Sequence, residues 1–115
     1  MNNNQVFGLK GETLACKKLK KMGYKIIARN YKCKLGELDI IAQDKGVLVF
    51  VEVKSRTSTL FGRPSEAVNE YKQQKLIKLA QYYINTTGQY NALCRFDVVE
   101  VLDDSVNVIQ NAFTM

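Results

Sequence analysis

No histidine occurs anywhere in the 115 residues. That excludes histidine triads, histidine general bases and histidine metal ligands. Any metal would have to be held by oxygen, which favours Mg²⁺ or Mn²⁺ over Zn²⁺. Cysteine is scarce and odd in number: Cys16, Cys33 and Cys94, with no CxxC spacing. A disulfide framework and a zinc site are both disfavoured, and the thiols read as small, semi-buried residues in a reducing compartment. Long apolar runs are missing. Val47 to Val51 is five residues, far short of the roughly 18 that span a bilayer. The opening MNNNQVFGLK has neither the basic nor the apolar region of a signal peptide. The expectation is a cytoplasmic protein with no membrane partner. There is one proline, Pro64, and no repeat or low-complexity tract beyond Asn2–Asn4.

What is present is ordinary in bulk and biased in charge. Hydrophobic residues make up 46% and charged residues 24%. A chain this long has surface enough for one core, so residues 1–115 read as a single domain. Seventeen Lys and Arg against eleven Asp and Glu give a net charge of +6. Such a balance points to a polyanionic partner, nucleic acid above all.

Residues 4–22 read as a helix, with Gly8, Glu12, Ala15, Leu19 and Met22 on one face and Gly23 as its stop. Tyr24 to Cys33, Gly36 to Gln43 and Val47 to Ser55 read as strands, the last two joined by an Asp44-Lys45-Gly46 hairpin turn. Ser55 to Arg63 is a polar, basic loop. A long helix runs from Ser65 to about Thr86 along a Val68, Lys72, Leu76, Leu79, Ala80 and Tyr83 stripe. Ala92 to Leu102 and Val106 to Gln110 complete the chain as strands. The order αβββαββ predicts an α/β fold, a mixed sheet flanked by helices.

Chemistry concentrates in Gly36-Glu37-Leu38-Asp39 and Glu52-Val53-Lys54. With Lys45-Gly46 as a two-residue loop, Asp39 faces Glu52 and Glu37 faces Lys54. The two-residue period then puts all four on one face, and Leu38, Ile40, Val51 and Val53 on the other. Two carboxylates in such a pair have Cβ atoms about 5 Å apart. Their repulsion is on the order of 3 kcal/mol at an effective dielectric near 20. A divalent cation converts that repulsion into ligation, and Lys54 beside it can offset charge on a phosphate. The rival reading is a solvated sheet face bearing ordinary Glu–Lys pairs.

Glu12 favours the functional reading. It interrupts the apolar stripe of the first helix, where a glutamate is costly unless paired or ligating. Gly8 and Gly11 around it permit close approach to a sheet or a phosphate. Lys72 is the equivalent anomaly on the second helix. A snorkelling side chain explains either alone; two of opposite sign on sheet-facing helices fit a shared polar site. Arg56 and Arg63, on the loop after Lys54, are candidates for phosphate contact. Arg95 and Asp97 read as a structural ion pair, and Tyr82, Tyr83 and Tyr90 as core and rim.

The runs G-E-L-D-I-I-A, L-V-F-V-E-V-K-S-R, F-G-R-P-S-E-A-V and K-Q-Q-K-L, preceded by G-x-x-G-E-x-x-A, resemble the YraN-like proteins, a small bacterial family, over residues 8 to 113. That family is similar to the PD-(D/E)xK, restriction-endonuclease-like nucleases, and among them to archaeal-type Holliday junction resolvases. The resemblance implies Asp39, Glu52 and Lys54 as the triad, Glu12 as an additional helix-borne carboxylate, and the Val53 carbonyl as a metal ligand. It implies Mg²⁺ or Mn²⁺ as cofactor and DNA, including branched DNA, as substrate. Glu37 and Lys72 would support the site. Leu38 stands where that motif has proline. The Q-x-x-x-Y signature of the RecB-like exonucleases is absent, since Ile77 follows Gln73 and Lys78 follows Gln74 at that spacing. The expectation is thus a metal-dependent endonuclease, with a non-catalytic nucleic-acid-binding or scaffold protein as the alternative. Cutting two strands would suit a homodimer.

Overall fold

A two-residue turn organises the centre of the sheet. Lys45 and Gly46 have φ of 51° and 84°, both positive, as a type I′ hairpin turn requires. The computed structural model describes residues 3–56 and 68–115. Helix α1 spans Asn3–Lys21, followed by strands β1 (Lys25–Cys33), β2 (Gly36–Asp44) and β3 (Val47–Arg56), helix α2 (Glu70–Thr87), and strands β4 (Cys94–Leu102) and β5 (Ser105–Phe113). The five strands lie in chain order in one sheet. Only β3 and β4 are parallel, joined through α2; every other neighbouring pair is antiparallel.

Each face of the sheet carries one helix and one apolar core. On the α2 face, Ile41, Leu48, Phe50, Phe96 and Val98 pack with Leu76, Ile77, Leu79, Ala80 and Tyr83. On the α1 face, Ile40, Ala42, Val49, Val51, Val99 and Val101 pack with Ala15, Cys16 and Leu19. The central strands are apolar on both faces because both faces are covered. No helix among the described residues is long and apolar enough to cross a membrane.

Helix α2 starts later than its pattern predicts. Asn69, extended at φ −78°, ψ 176°, is the N-cap and accepts a hydrogen bond from the Lys72 amide. Val68 is buried but precedes the helix, and residues 65–67 lie outside the described ones. The helix ends at Gly88, whose φ of 70° is left-handed and whose N–H donates to Ile84 O, the usual glycine stop. Ser55 and Arg56 belong to β3 rather than to a loop, because the parallel ladder carries on through Ser55–Val101 and Arg56–Leu102. Met22 does not extend the buried stripe. Helix α1 stops one residue earlier and Tyr24, bonded through its amide to Leu19 O, is buried in its stead.

The hairpin register holds from Asp44–Val47 to Ile40–Val51 and no further. The expected cross-strand partnerships Asp39–Glu52 and Glu37–Lys54 are therefore absent from the ladder. Strand β2 stays with β1, pairing Glu37 with Lys32 and Leu38 with Tyr31, and parts from β3. The even alternation breaks at the same place. Leu38 joins the α2-side core, whereas Ile40, Val51 and Val53 line the α1 side. Opposite this break, Asn30 adopts φ 52°, a left-handed conformation that asparagine tolerates better than most residues.

Candidate active site

Where β2 and β3 part, Asp39 takes over the lost ladder bond: its Oδ2 accepts from the Val53 N–H at 2.8 Å. The side chain thus bridges the fork and is half-buried. Burial is the main reason its carboxyl is raised from 3.8 to about 7, and repulsion from Glu52 is the second. The Val53 bond and the Lys72 charge oppose that rise. Glu52 is itself buried, at 6% exposure. Its Oε1 lies 3.3 Å from Lys54 Nζ and 3.5 Å from Lys72 Nζ. Two ammonium groups, one from its own strand and one from α2, thus neutralise a carboxylate that would be costly alone.

Glu12 reaches the same region from the other face. Burial raises its carboxyl most; Arg29 pulls it down, and Glu37 and Glu52 push it up again. With its amide nitrogen turned toward the carboxylates, Asn30 donates to Glu12 Oε1 at 2.8 Å and to Glu37 Oε1 at 3.0 Å. That orientation is assigned from partner chemistry. Gly11 explains how α1 comes so near: a Cβ there would collide with Ser55 Oγ. Its helical neighbour Glu12 is thereby held over the end of β3.

The fork thus gathers Glu12, Asp39 and Glu52, with Lys54 and Lys72 on Glu52 and with Glu37 linked through Asn30. Arg63 and the side chain of Arg56 lie outside the described residues. Asn30 is the residue that sequence reasoning passes over. Its only signal is an amide side chain inside a strand, three residues before Cys33, where β-branched or aromatic residues are the rule.

Among the described residues, no group of three or more acidic or thiol side chains stands close enough to hold a metal ion as placed. The donor chemistry nevertheless suits a hard cation. All donors are carboxylate oxygens, burial raises the carboxyls of Asp39 and Glu12, and Glu52 already draws two positive charges. Mg²⁺ is commonly held by only one or two carboxylates, with water and substrate phosphate completing its shell.

A second polar cluster lies on the α1 face toward the hairpin end. Arg95 Nε donates to Asp97 Oδ1 at 3.0 Å and Arg95 Nη2 to Asp44 Oδ2 at 2.8 Å. Tyr24 donates its hydroxyl proton to Asp97 Oδ2 and accepts from Arg95 and Gln110. The Asn111 amide donates to Asp97 Oδ1. One guanidinium serves both carboxylates, so this is the ion pair expected from Arg95 and Asp97, enlarged to tie β2, β4 and β5 to Tyr24 at the entry to β1.

Residues 11–101 match the model of a family described as uncharacterised protein family UPF0102. A UPF0102 protein of Caldanaerobacter subterraneus is 48% identical, the match covering 96% of this chain and 97% of that one. A UPF0102 protein of Caldicellulosiruptor saccharolyticus is 47% identical over 96% and 99%. One from Clostridium botulinum is 47% identical over 96% and 95%. The chain belongs to the UPF0102 family.

Proposed function

We propose that this UPF0102 chain is a metal-dependent endonuclease of the PD-(D/E)xK type that hydrolyses phosphodiester bonds in DNA, branched DNA included. The observation that carries the reading is the closeness of Asp39 and Glu52 at the β2–β3 fork, where burial first and Glu52 second raise Asp39 to about 7 and Lys54 lies beside Glu52. Stability alone gives no reason to place two carboxylates in mutual repulsion at a half-buried strand end. Asp39 and Glu52 would hold Mg²⁺ or Mn²⁺, with Glu12 supporting them. A divalent cation there would supply Lewis-acid polarisation of the phosphoryl group and a more acidic water.

The chain's own residues do the rest. In the hydrolysis, a water oxygen bonds to phosphorus and gives up a proton to solvent, the ester P–O bond breaks, and the departing alkoxide takes up a proton from solvent. Lys54 Nζ offsets the negative charge that builds on the phosphoryl oxygens. Lys72, reaching the same Glu52 oxygen from α2, keeps that carboxylate fixed. Asn30 holds Glu12 and Glu37 in place. The rival, a nucleic-acid-binding protein that keeps the fold without cutting, is favoured by one observation: Glu52 is already neutralised by two lysines. Labelled linear, flap and four-way-junction DNAs incubated with Mn²⁺ and with EDTA decide between them. Cleavage that requires Mn²⁺ and is lost in Glu52→Gln supports the nuclease. Binding with no cleavage of any substrate supports the rival.

A further inference from the structure

We propose that the outer face of α1, together with Arg29 on β1, is the lane that holds a duplex arm of the nucleic-acid substrate. The inference rests on the nuclease reading for where the lane leads and on independent observations for what it binds. Helix α1 carries five lysines against one glutamate. That glutamate, Glu12, belongs to the candidate site, so the charges on the described part of the outward face are all positive. Lys17, Lys18, Lys20 and Lys21 are exposed. Among the described residues, Lys10 alone of these five lysines has a carboxylate within ion-pair distance, Asp104 at 3.6 Å, and that pair is open to solvent.

The lane has a direction. At about 100° per residue, Thr13, Lys17, Lys20 and Lys21 fall within about a third of the helix circumference. Arg29 Nη2 lies 3.4 Å from Thr13 Oγ1, which fastens the β1 edge to the same side. Arg29 also pairs with Ile40, the residue next to Asp39. From Thr13 to Lys21 the helix rises about 12 Å, the axial length of about three to four base pairs. A phosphate backbone laid on the helix therefore leads to Glu12 and the fork. The apolar face of α1 is consumed by the sheet through Ala15, Cys16 and Leu19. With the described apolar residues of α1 packed in this way and its exposed charges positive, charge complementarity favours a nucleic-acid duplex over a lipid surface.

The test is fluorescence anisotropy of a labelled duplex over a salt series, in EDTA. Lys17→Gln, Lys20→Gln and Lys21→Gln are combined in one variant, leaving Arg29 and the carboxylates intact. Each lost phosphate contact lowers the log–log salt slope by about 0.9, so the slope should fall by about 2 to 3, equally for unrelated sequences. A variant with Lys34→Gln, Lys75→Gln and Lys78→Gln removes the same charge around α2 and should change the slope by less than about 1. Equal losses in the two variants would reduce the effect to net charge and overturn the lane. An unchanged slope in the α1 variant, with wild-type Mn²⁺-dependent cleavage retained, would overturn the lane and leave the nuclease reading standing. The predicted slope loss in a protein that never cuts would support the lane and sink the nuclease. Wild-type protein that ignores the duplex but binds anionic phospholipid vesicles would also overturn the lane.

Discussion

Replacing Asp39 by asparagine should stabilise the metal-free protein at neutral and alkaline pH. The fold raises this carboxyl from 3.8 to about 7, through burial first and Glu52 second. The folded state therefore prefers the protonated form. Its contribution to stability is complete below about pH 4, declines as pH rises through the interval to about 7, and is gone above that. At about 1.4 kcal/mol per tenfold, the full interval corresponds to about 4 kcal/mol. Solvent near a side chain at the sheet's end reduces the measurable part to on the order of 2–3 kcal/mol. Asp39→Asn removes the charge and keeps an oxygen for the Val53 N–H, so the bond at 2.8 Å survives.

In EDTA, the variant and the wild type should melt together near pH 4 and separate progressively toward pH 8, to roughly 10 °C for a domain of this size. Added Mn²⁺ should reverse the order. Binding to the folded state stabilises the wild type by mass action, and the variant has lost a charged ligand. Thermal unfolding by circular dichroism across pH, with EDTA and with Mn²⁺, measures both effects. A variant less stable than the wild type at pH 8 in EDTA would refute the reasoning. It would mean that ionised Asp39 is welcome in the fold as a structural cap on Val53, and that the repulsion argument fails.

Three further outcomes follow from other residues. Lys54→Ala should lower cleavage on the order of a hundredfold or more while Mn²⁺ binding, followed by calorimetry, is retained, because an ammonium has no lone pair to ligate with. Arg95→Ala should cost about 3–5 kcal/mol in urea unfolding, because it strands Asp97, 1% exposed, and Asp44, 8% exposed, without their cation. Gly11→Ala should cost about 1–3 kcal/mol, since the added methyl meets Ser55 Oγ; pairing it with Ser55→Gly should restore much of that loss.

The sheet was readable wherever local rules coincide with tertiary demands. Asp44-Lys45-Gly46 specifies its turn because both turn residues need positive φ, and Gly46 takes the second such position without strain. Period-two logic then runs correctly as far as Ile40–Val51. It fails at Asp39 because alternation assumes that both neighbours continue the ladder, and a strand that leaves one neighbour for another breaks that assumption. The start of α2 misleads for a different reason. Pro64-Ser65-Glu66 has the look of a helix entrance, but Asn69 supplies the cap three residues before Lys72. Glu12 and Lys72 were legible as misplaced charges. The bond that gathers Glu12 and Glu37 was not, because it depends on the left-handed turn of Asn30, which no sequence period encodes.

The fork and the candidate site share one cause. In an unbroken antiparallel ladder, a β2 carbonyl would accept from Val53, and the carboxylates at this end would face each other across paired strands. Asp39 accepts the Val53 N–H hydrogen bond with its side chain instead, so the backbone separates without leaving that donor unsatisfied. The opening gives α1 and α2 access to the same point from opposite faces, Glu12 from one and Lys72 from the other. Lys54 and Lys72 then act as internal counter-ions that keep buried Glu52 tolerable while no cation is bound. On the proposed reading, a divalent cation takes over part of that neutralising role, and the Lys54 ammonium becomes available to a phosphate at the open end of the sheet while Lys72 stays on Glu52. Charge that stabilises the resting fold is thereby the same charge that meets the substrate; because Lys72 still neutralises Glu52 when Lys54 is removed, Lys54→Ala should cost rate far more than it costs structure.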